Sequence, residues 1–316
     1  MSDPRATRNQ AAVAETAAGQ PAAARVALAR AVATSANSPG NRAWRAFFRN
    51  RLAIIGSVML ILILAAVVVG PMLVPRDLAL RPAPRNMLQA PSSQHILGTD
   101  EVGRDVAARL LYAGRVSIPV SLSAMVVALL AASLIGITSG YFGGWLDTLF
   151  MRTADALLSI PTIFLLLTIA AVMRPNVTVL VLVIGLLSWM DLARIVRVQT
   201  IALSKREQIE GVRALGAKNW RILLRHILPN VQGPLLVAAP LVAGRALLTE
   251  SALSYLGLGI QAPTPTWGNM LNQAQQFALS TPLLAVAPGL AIMVTVIAIN
   301  FIGDGLRDAF DPRRAG

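Results

Sequence analysis

The stretch "EQIEGVRALGAKNWRILLRHILPN" (207–230) lies between two long apolar runs. It carries Glu207, Glu210, Arg213, Lys218, Arg221 and Arg225 in a chain where charge is otherwise scarce. Ile209, Val212 and Leu215 recur every three residues, along one face of a short helix. Trp220, Leu223, Leu224 and Ile227 recur at i, i+3, i+4, i+7, a second apolar stripe. Gly216 divides the two, and its backbone can turn left-handed or let another chain approach closely. Pro229 ends the second helix or starts the next one. The pattern predicts a helix–turn–helix joined directly to apolar segments at both ends. By itself it fits equally an amphipathic helix resting on lipid headgroups, since Arg221 and Arg225 at i, i+4 suit headgroups as well as a partner protein.

The rest of the chain decides what those segments are. Of 316 residues 55% are apolar and 14% charged, against about 25% charged in an ordinary soluble domain. The reading is an all-α polytopic membrane protein. Net charge is +13, nearly all of it arginine, with Lys205 and Lys218 the only lysines. Such basicity raises nucleic acid as a partner. The arginines, however, sit at the ends of apolar runs, where the positive-inside effect puts them, so nucleic acid is rejected and the lipid bilayer is the partner expected. There is no cysteine, which removes disulfides, thiolate metal sites and cysteine nucleophiles. With His95 and His226 the only histidines, no His-rich metal site is expected, and no cofactor.

A helix needs about 20 apolar residues to cross a bilayer. Residues 52–74, 116–139 and 283–303 are charge-free runs of that length. An apolar run at 156–173, entered through a polar turn with Asp147, Arg152 and Asp155, gives a fourth span over about 150–173. A shorter run from 175 gives a fifth, to about 198. Residues 231–258, interrupted by Arg245 and Glu250, give a sixth. Arg42, Arg45, Arg49 and Arg51 precede the first span, and Arg307, Arg313 and Arg314 follow the last. Segment 191–230 holds eight basic residues against three acids, whereas 259–282 holds no charge. Both termini and the 205–230 loop are therefore expected in the cytoplasm, and 259–282 outside. The 75–115 loop, with six arginines and four acids, is long and weighs less. Residues 1–41, Ala-rich without a sustained apolar face, read as a disordered cytoplasmic tail. Their Arg-rich, acid-poor make-up also resembles a transit peptide. The membrane domain is then 42–316, and it shows no repeat of fixed period.

At this point the chain resembles a known family. "EGVRALGAKNWRILLRHILPN" looks like the EAA loop of ABC importer permeases, with Glu210, Gly211, Val212, Gly216, Leu228 and Pro229 in the places of that signature. Gly-Val stands where Ala-Ala is usual, and Gly211 weakens its helix by about 1 kcal/mol relative to Ala. "HILGTDEVGRDVAARLLYAGRVS" (95–117), "GYFGGWLDTLFMR" (140–152), "SALSYLGLGIQAPTPTWGNML" (251–271) and "NFIGDGLRDAFDPR" (300–313) resemble the C-type permease subunit of dipeptide, oligopeptide and nickel importers. The likeness covers roughly 42–312. It implies a type I ABC importer fold with six spans in the bacterial cytoplasmic (inner) membrane. It also implies that the loop is a coupling helix docked on a partner ATPase, with Glu210, Gly211, Arg213, Ala214, Leu215, Gly216 and Ala217 as the contact region. The implied partners are a second, B-type permease, two ATP-binding subunits or domains, and an extracytoplasmic binding protein. The implied substrate is a di- or oligopeptide, with nickel or another small solute as the alternative.

The residues agree that this chain does not hydrolyse ATP. A Walker A loop needs Gly-Lys-Ser/Thr, and the two lysines occur as "SKR" and "AKN". "GYFGGW" reads as a tight turn, not a phosphate cradle. Glu250 is costly at membrane depth unless paired or facing water; it is either a translocation-path residue or a structural group with Arg245 as a partner. Arg213 is placed to pair with Glu210, worth about 0.2–0.5 kcal/mol. Asp155 and Asp191 are expected near the cytoplasmic interface, in structural pairs with Arg152 and Arg194. Asp304 and Arg307 are expected to close the last span. Thr99 or Asp100 is expected to cap the helix that follows "GTDEVGRD", and the resemblance implies an external contact at Asp100, Arg104 and Asp105. His95 invites a nickel role because relatives import nickel, but a lone His beside Ile-Leu reads as structural. Trp267 suits a membrane-interface anchor. Three other classes were weighed. A secondary transporter would show inverted repeats and midplane carboxylates. An intramembrane hydrolase would need His or paired acids within spans, and a membrane-anchored interaction protein would not need six spans with these motifs.

Overall fold

The computed structural model describes residues 39–173 and 176–310. The tail expectation for 1–41 lies almost entirely outside them, as do Arg313 and Arg314. The described residues are helical, with a single isolated bridge between Thr99 and Asp105 and no strand. The helices are α1 (Pro39–Arg49), α2 (Arg51–Leu73), α3 (Arg76–Leu80), α4 (Val106–Phe142), α5 (Gly144–Leu158), α6 (Thr162–Val172) and α7 (Val177–Leu187). They continue with α8 (Met190–Ser204), α9 (Glu207–Ala214), α10 (Asn219–Ile222), α11 (Leu228–Tyr255), α12 (Trp267–Ala274) and α13 (Leu283–Phe310). Among them, four stretches are long and apolar enough to cross a membrane, or up to six if each of two bent pairs is one crossing.

The first long helix opens at Asn50, whose side chain accepts from the Ala53 N–H at 3.2 Å and donates to Asp308 at 3.0 Å, tying the start of α2 to the end of α13. Helix α4 opens at Asp105, which accepts from the Ala108 N–H at 2.7 Å. The cap is thus neither Thr99 nor Asp100, because Asp100 is occupied by two arginines. At 37 residues, α4 is roughly 55 Å long, well beyond the 116–139 core expected to span. It ends at Gly143 and Gly144, both at positive φ, which only glycine adopts freely, and the chain reverses into α5.

Two expected spans are broken. The 150–173 segment is two helices, α5 and α6, meeting at 89° across Ser159–Pro161. Pro161 lacks the N–H that would carry the first helix through. The 175–198 segment bends by 46° between α7 and α8, and α8 runs on to Ser204.

Small residues on α4 set the packing. Ala124, Ala128, Ala132, Gly136 and Gly140 form a stripe at four-residue spacing, the arrangement that lets membrane helices meet backbone to backbone. A Cβ on Gly136 would lie 2.7 Å from both the Ala193 carbonyl and the Val196 Cβ. One on Gly140 would lie 2.7 Å from the Arg197 carbonyl and 2.8 Å from the Thr200 Cβ. Helix α8 therefore seats directly on this stripe.

Candidate functional site

The 205–230 loop is built from α9, a left-handed turn at Gly216 (φ +80°), α10 and a π turn over Leu223–Ile227 that feeds α11. Ile209, Ile222, Ile227, Val231 and Leu235 are buried together with Val196 and Leu203 of α8 and Ile137 of α4. The expected stripes differ in part. Leu215 is not on the buried face but 90% exposed, and Trp220 and Leu224 are exposed as well. Leu215 is the last residue before the Gly216 turn, and Trp220 lies two residues from the buried Ile222, on the opposite face; for Leu224 the cause is the π turn. It inserts one residue into the helical repeat, so the inward positions run Ile222, Ile227, Val231 and Leu235 instead of following i, i+3, i+4, i+7 from Trp220.

Tyr141, near the end of α4, holds both loop helices. Its hydroxyl donates to Asn219 Oδ1 at 2.9 Å, and the Arg213 guanidinium lies 5.6 Å from its ring centroid. Arg213 is thus engaged with an aromatic face, and no ion pair with Glu210 is present among the described residues. Glu210, Gly211, Ala214 and Gly216 are exposed and Ala217 half-buried. Space around Gly211 and Gly216 is open. The result is a seated hairpin whose tip, around Leu215, is exposed among the described residues.

Below the tip, ion pairs tie α8 to α5. Arg197 Nη2 donates to Asp147 Oδ2 at 2.6 Å, and Ser139 donates to the same carboxylate. Arg194 donates to Asp155 at 2.6 Å. The expected pairing holds for neither acid: Asp155 takes Arg194 instead of Arg152, and Asp191 has no ion-pair partner among the described residues.

Glu250 is fully buried in α11. Ser254 donates to it at 2.9 Å, with Ser251, Ser117 and Thr266 also at its carboxyl. Arg245 is not its partner; it is exposed on another face of α11. Ser117 also accepts the Trp267 backbone N–H at 3.2 Å, and Thr266 caps α12 in a reciprocal capping box with Asn269. Glu250 is thus the hub that joins α4, α11 and the start of α12. Trp267 is 2% exposed, and its indole N–H donates to the Leu110 carbonyl at 3.0 Å. It is a core residue, not an interface anchor, because its polar edge is satisfied inside the fold.

The turn before α4 is an internal network. Asp100 accepts from Arg104 Nε at 2.7 Å, from Arg109, and from the backbone N–H groups of Val102 and Arg104 at 3.0 and 2.8 Å. Arg109 also reaches Gln273 of α12 at 2.7 Å. Asp105 joins His95 at 2.8 Å. Asp100, Arg104 and Asp105 are all buried, so their charges are engaged within the turn. No group of three His, Cys, Asp or Glu side chains able to hold a metal occurs among the described residues.

Tyr141, the Asp147–Arg197 pair and the π turn escaped sequence reasoning. Tyr141 sits inside "GYFGGW", whose glycines drew attention, and its partner Asn219 is 78 residues away. An aromatic residue at a helix end beside a charged loop was the available signal.

Comparison with known sequences bears on most of the chain. The family described as binding-protein-dependent transport system inner membrane component matches residues 132–316, and the N-terminal TM domain of oligopeptide transport permease C matches 38–91. The dipeptide transport system permease protein DppC of Alkalihalophilus pseudofirmus is 39% identical over 279 residues, 88% of this chain and 91% of that one. The glutathione transport system permease protein GsiD of Pectobacterium atrosepticum is 36% identical over 279 residues, 88% and 93% of the two chains.

Proposed function

The chain belongs to the binding-protein-dependent transport system inner membrane components, and from that premise we propose that its 207–229 loop couples a peptide path to ATP hydrolysis on a partner chain. It is a membrane permease subunit of an ABC importer and not itself an enzyme. The relatives named for dipeptides and glutathione support short peptides as the substrate. The working assembly pairs this chain with a second permease, two ATP-binding subunits and an extracytoplasmic binding protein. Both termini and the loop face the cytoplasm, by the arginine distribution.

The observation that carries the coupling role is the exposed apolar tip at Leu215 on a loop otherwise pinned by Ile209, Ile222 and Ile227. A seated element with one unsatisfied apolar end transmits a push and offers a hydrophobic contact to a groove. Glu210, Gly211, Arg213, Ala214, Gly216 and Ala217 surround that tip. Gly216→Trp forces a bulky residue into a left-handed position and covers the tip. Purified from native membrane, the wild-type chain should bring down an ATPase and a second permease. The Gly216→Trp chain should keep the permease and lose the ATPase. Recovery of the chain alone, moving solute in vesicles without ATP, would overturn the reading in favour of a secondary transporter.

A further inference from the structure

Two features of the membrane region remain outside this account: the breaks in the helices, and two charged side chains without ion-pair partners. They meet in one place. A cavity of about 670 Å³ opens between α6, α8 and α11, within the roughly 300–1,000 Å³ range of small-molecule sites. Leu158 and Thr162 line it from either side of the 89° break, and Ser188 and Asp191 from either side of the 46° break. Arg245 and Thr249, one turn apart on α11, close the opposite wall. Broken backbone at membrane depth is tolerated where it is buried in protein or lines a water-filled cavity. Both breaks open onto this one.

The charges make the same point independently. Asp191 and Arg245 are exposed and have no ion-pair partner among the described residues. An unpaired ionised side chain inside a membrane span is costly unless it faces water or a ligand. Asp191 lies in the first turn of α8, where backbone N–H groups favour an acid; Arg245, mid-helix in α11, has no such support. Asp191 and Arg245 line the same cavity from two facing helices, α8 and α11.

We infer that this cavity is the peptide subsite of the translocation path, with Asp191 receiving the terminal ammonium and Arg245 the terminal carboxylate of a short peptide with free ends. The inference rests on the importer reading above and deepens it. A guanidinium presents a planar fork that fits a carboxylate, and one acid with one base matches a zwitterion while leaving the site neutral when empty. The remaining lining is largely apolar, so it holds side chains loosely and discriminates little among them. Glu250, sealed on the far side of α11, does not contribute.

The test uses the complete importer, with its binding protein, reconstituted in vesicles, and dialanine as the probe. Uptake should fall at least tenfold in Asp191→Asn and in Arg245→Gln, with ATP hydrolysis retained, and Arg245→Lys should recover most of it. Because the chain has no cysteine, Thr249→Cys gives a single reporter in an otherwise intact chain. It should react with a water-soluble thiol reagent, and dialanine with ATP should slow that reaction. Uptake within twofold of wild type in both neutralised variants would overturn the subsite. So would a Thr249→Cys that stays unreactive while Leu215→Cys on the exposed tip reacts, which would mean the cavity is filled by a partner chain. If the wild-type importer takes up no dialanine or other short peptide, the importer reading fails for peptides and the subsite fails with it.

Discussion

Asp100→Ala is the most informative single change outside the membrane. The carboxylate is 3% exposed and is the common acceptor for Arg104, Arg109 and two backbone N–H groups. Removing it takes from Arg109 its one ion-pair partner among the described residues and leaves Arg104 with only Glu101, at 3.0 Å. Breaking a buried pair from one side costs about 3–5 kcal/mol. The Asp77–Arg81 pair at the surface, with side chains 64% and 77% exposed, provides the internal control, since exposed pairs are worth about 0–1 kcal/mol. Amide hydrogen exchange on the detergent-purified chain reads the effect locally. If opening becomes easier by 3 kcal/mol, protection at Val102 and Arg104 falls by roughly 100-fold, since each 1.4 kcal/mol is a factor of ten. Asp77→Ala should leave the same amides within a few-fold of wild type. Should Asp100→Ala change protection no more than Asp77→Ala does, the charge of Asp100 is not engaged internally. It would then be available to an external partner, and the network argument would be wrong.

Four further outcomes follow from the packing. Gly136→Leu should destabilise the α4–α8 contact by about 1–3 kcal/mol through overpacking, read as a lower melting temperature. Glu250→Leu should strand the hydroxyls of Ser254, Ser117 and Thr266, at about 1–3 kcal/mol, and should raise proteolysis near 260–266; Glu250→Gln, which keeps acceptor and donor capacity, should cost much less. Trp267→Phe should lose the bond to Leu110, about 1 kcal/mol, visible as earlier thermal unfolding in detergent. Tyr141→Phe should lose the bond to Asn219 at about the same cost and speed protease cleavage within 213–220, leaving the membrane helices intact.

Apolar runs are legible because a bilayer demands a minimum length of them, and their placement needs nothing from the rest of the fold. What escaped the sequence is decided by which contacts win, some within one turn and some between distant helices. Asp100 and Asp105 are equally good caps by residue type; Asp105 takes the role because Arg104 and Arg109 claim Asp100. Arg194 reaches across to Asp155 because the 89° break turns α5 toward α8. Trp267 in a charge-free external loop has the composition of an interface anchor, yet a carbonyl of α4 satisfies its indole N–H in the core. The periodicity from Trp220 to Ile227 assumes an unbroken 3.6-residue repeat, and a single π turn after Ile222 is enough to put Leu224 outside. Glu250 and Arg245 share one helix, but five residues is the wrong spacing for them to face each other.

The seam between α4 and α8 has a further property. Val196 fills the notch at Gly136 and Thr200 the notch at Gly140, and valine and threonine have nearly the same shape. A slip of α8 by one turn, about 6 Å, would seat Thr200 at Gly136 and the still smaller Ser204 at Gly140 without a clash at either notch. These two notches by themselves do not single out one alignment. The tight fit of Gly185 on Val127 and Ala124 fixes the alignment from the α7 side, and the salt links from α8 to α5, Arg197 to Asp147 and Arg194 to Asp155, add to it. In mechanical terms the two notches are evenly spaced stops on a track, and the Gly185 fit together with the ionic contacts is the latch.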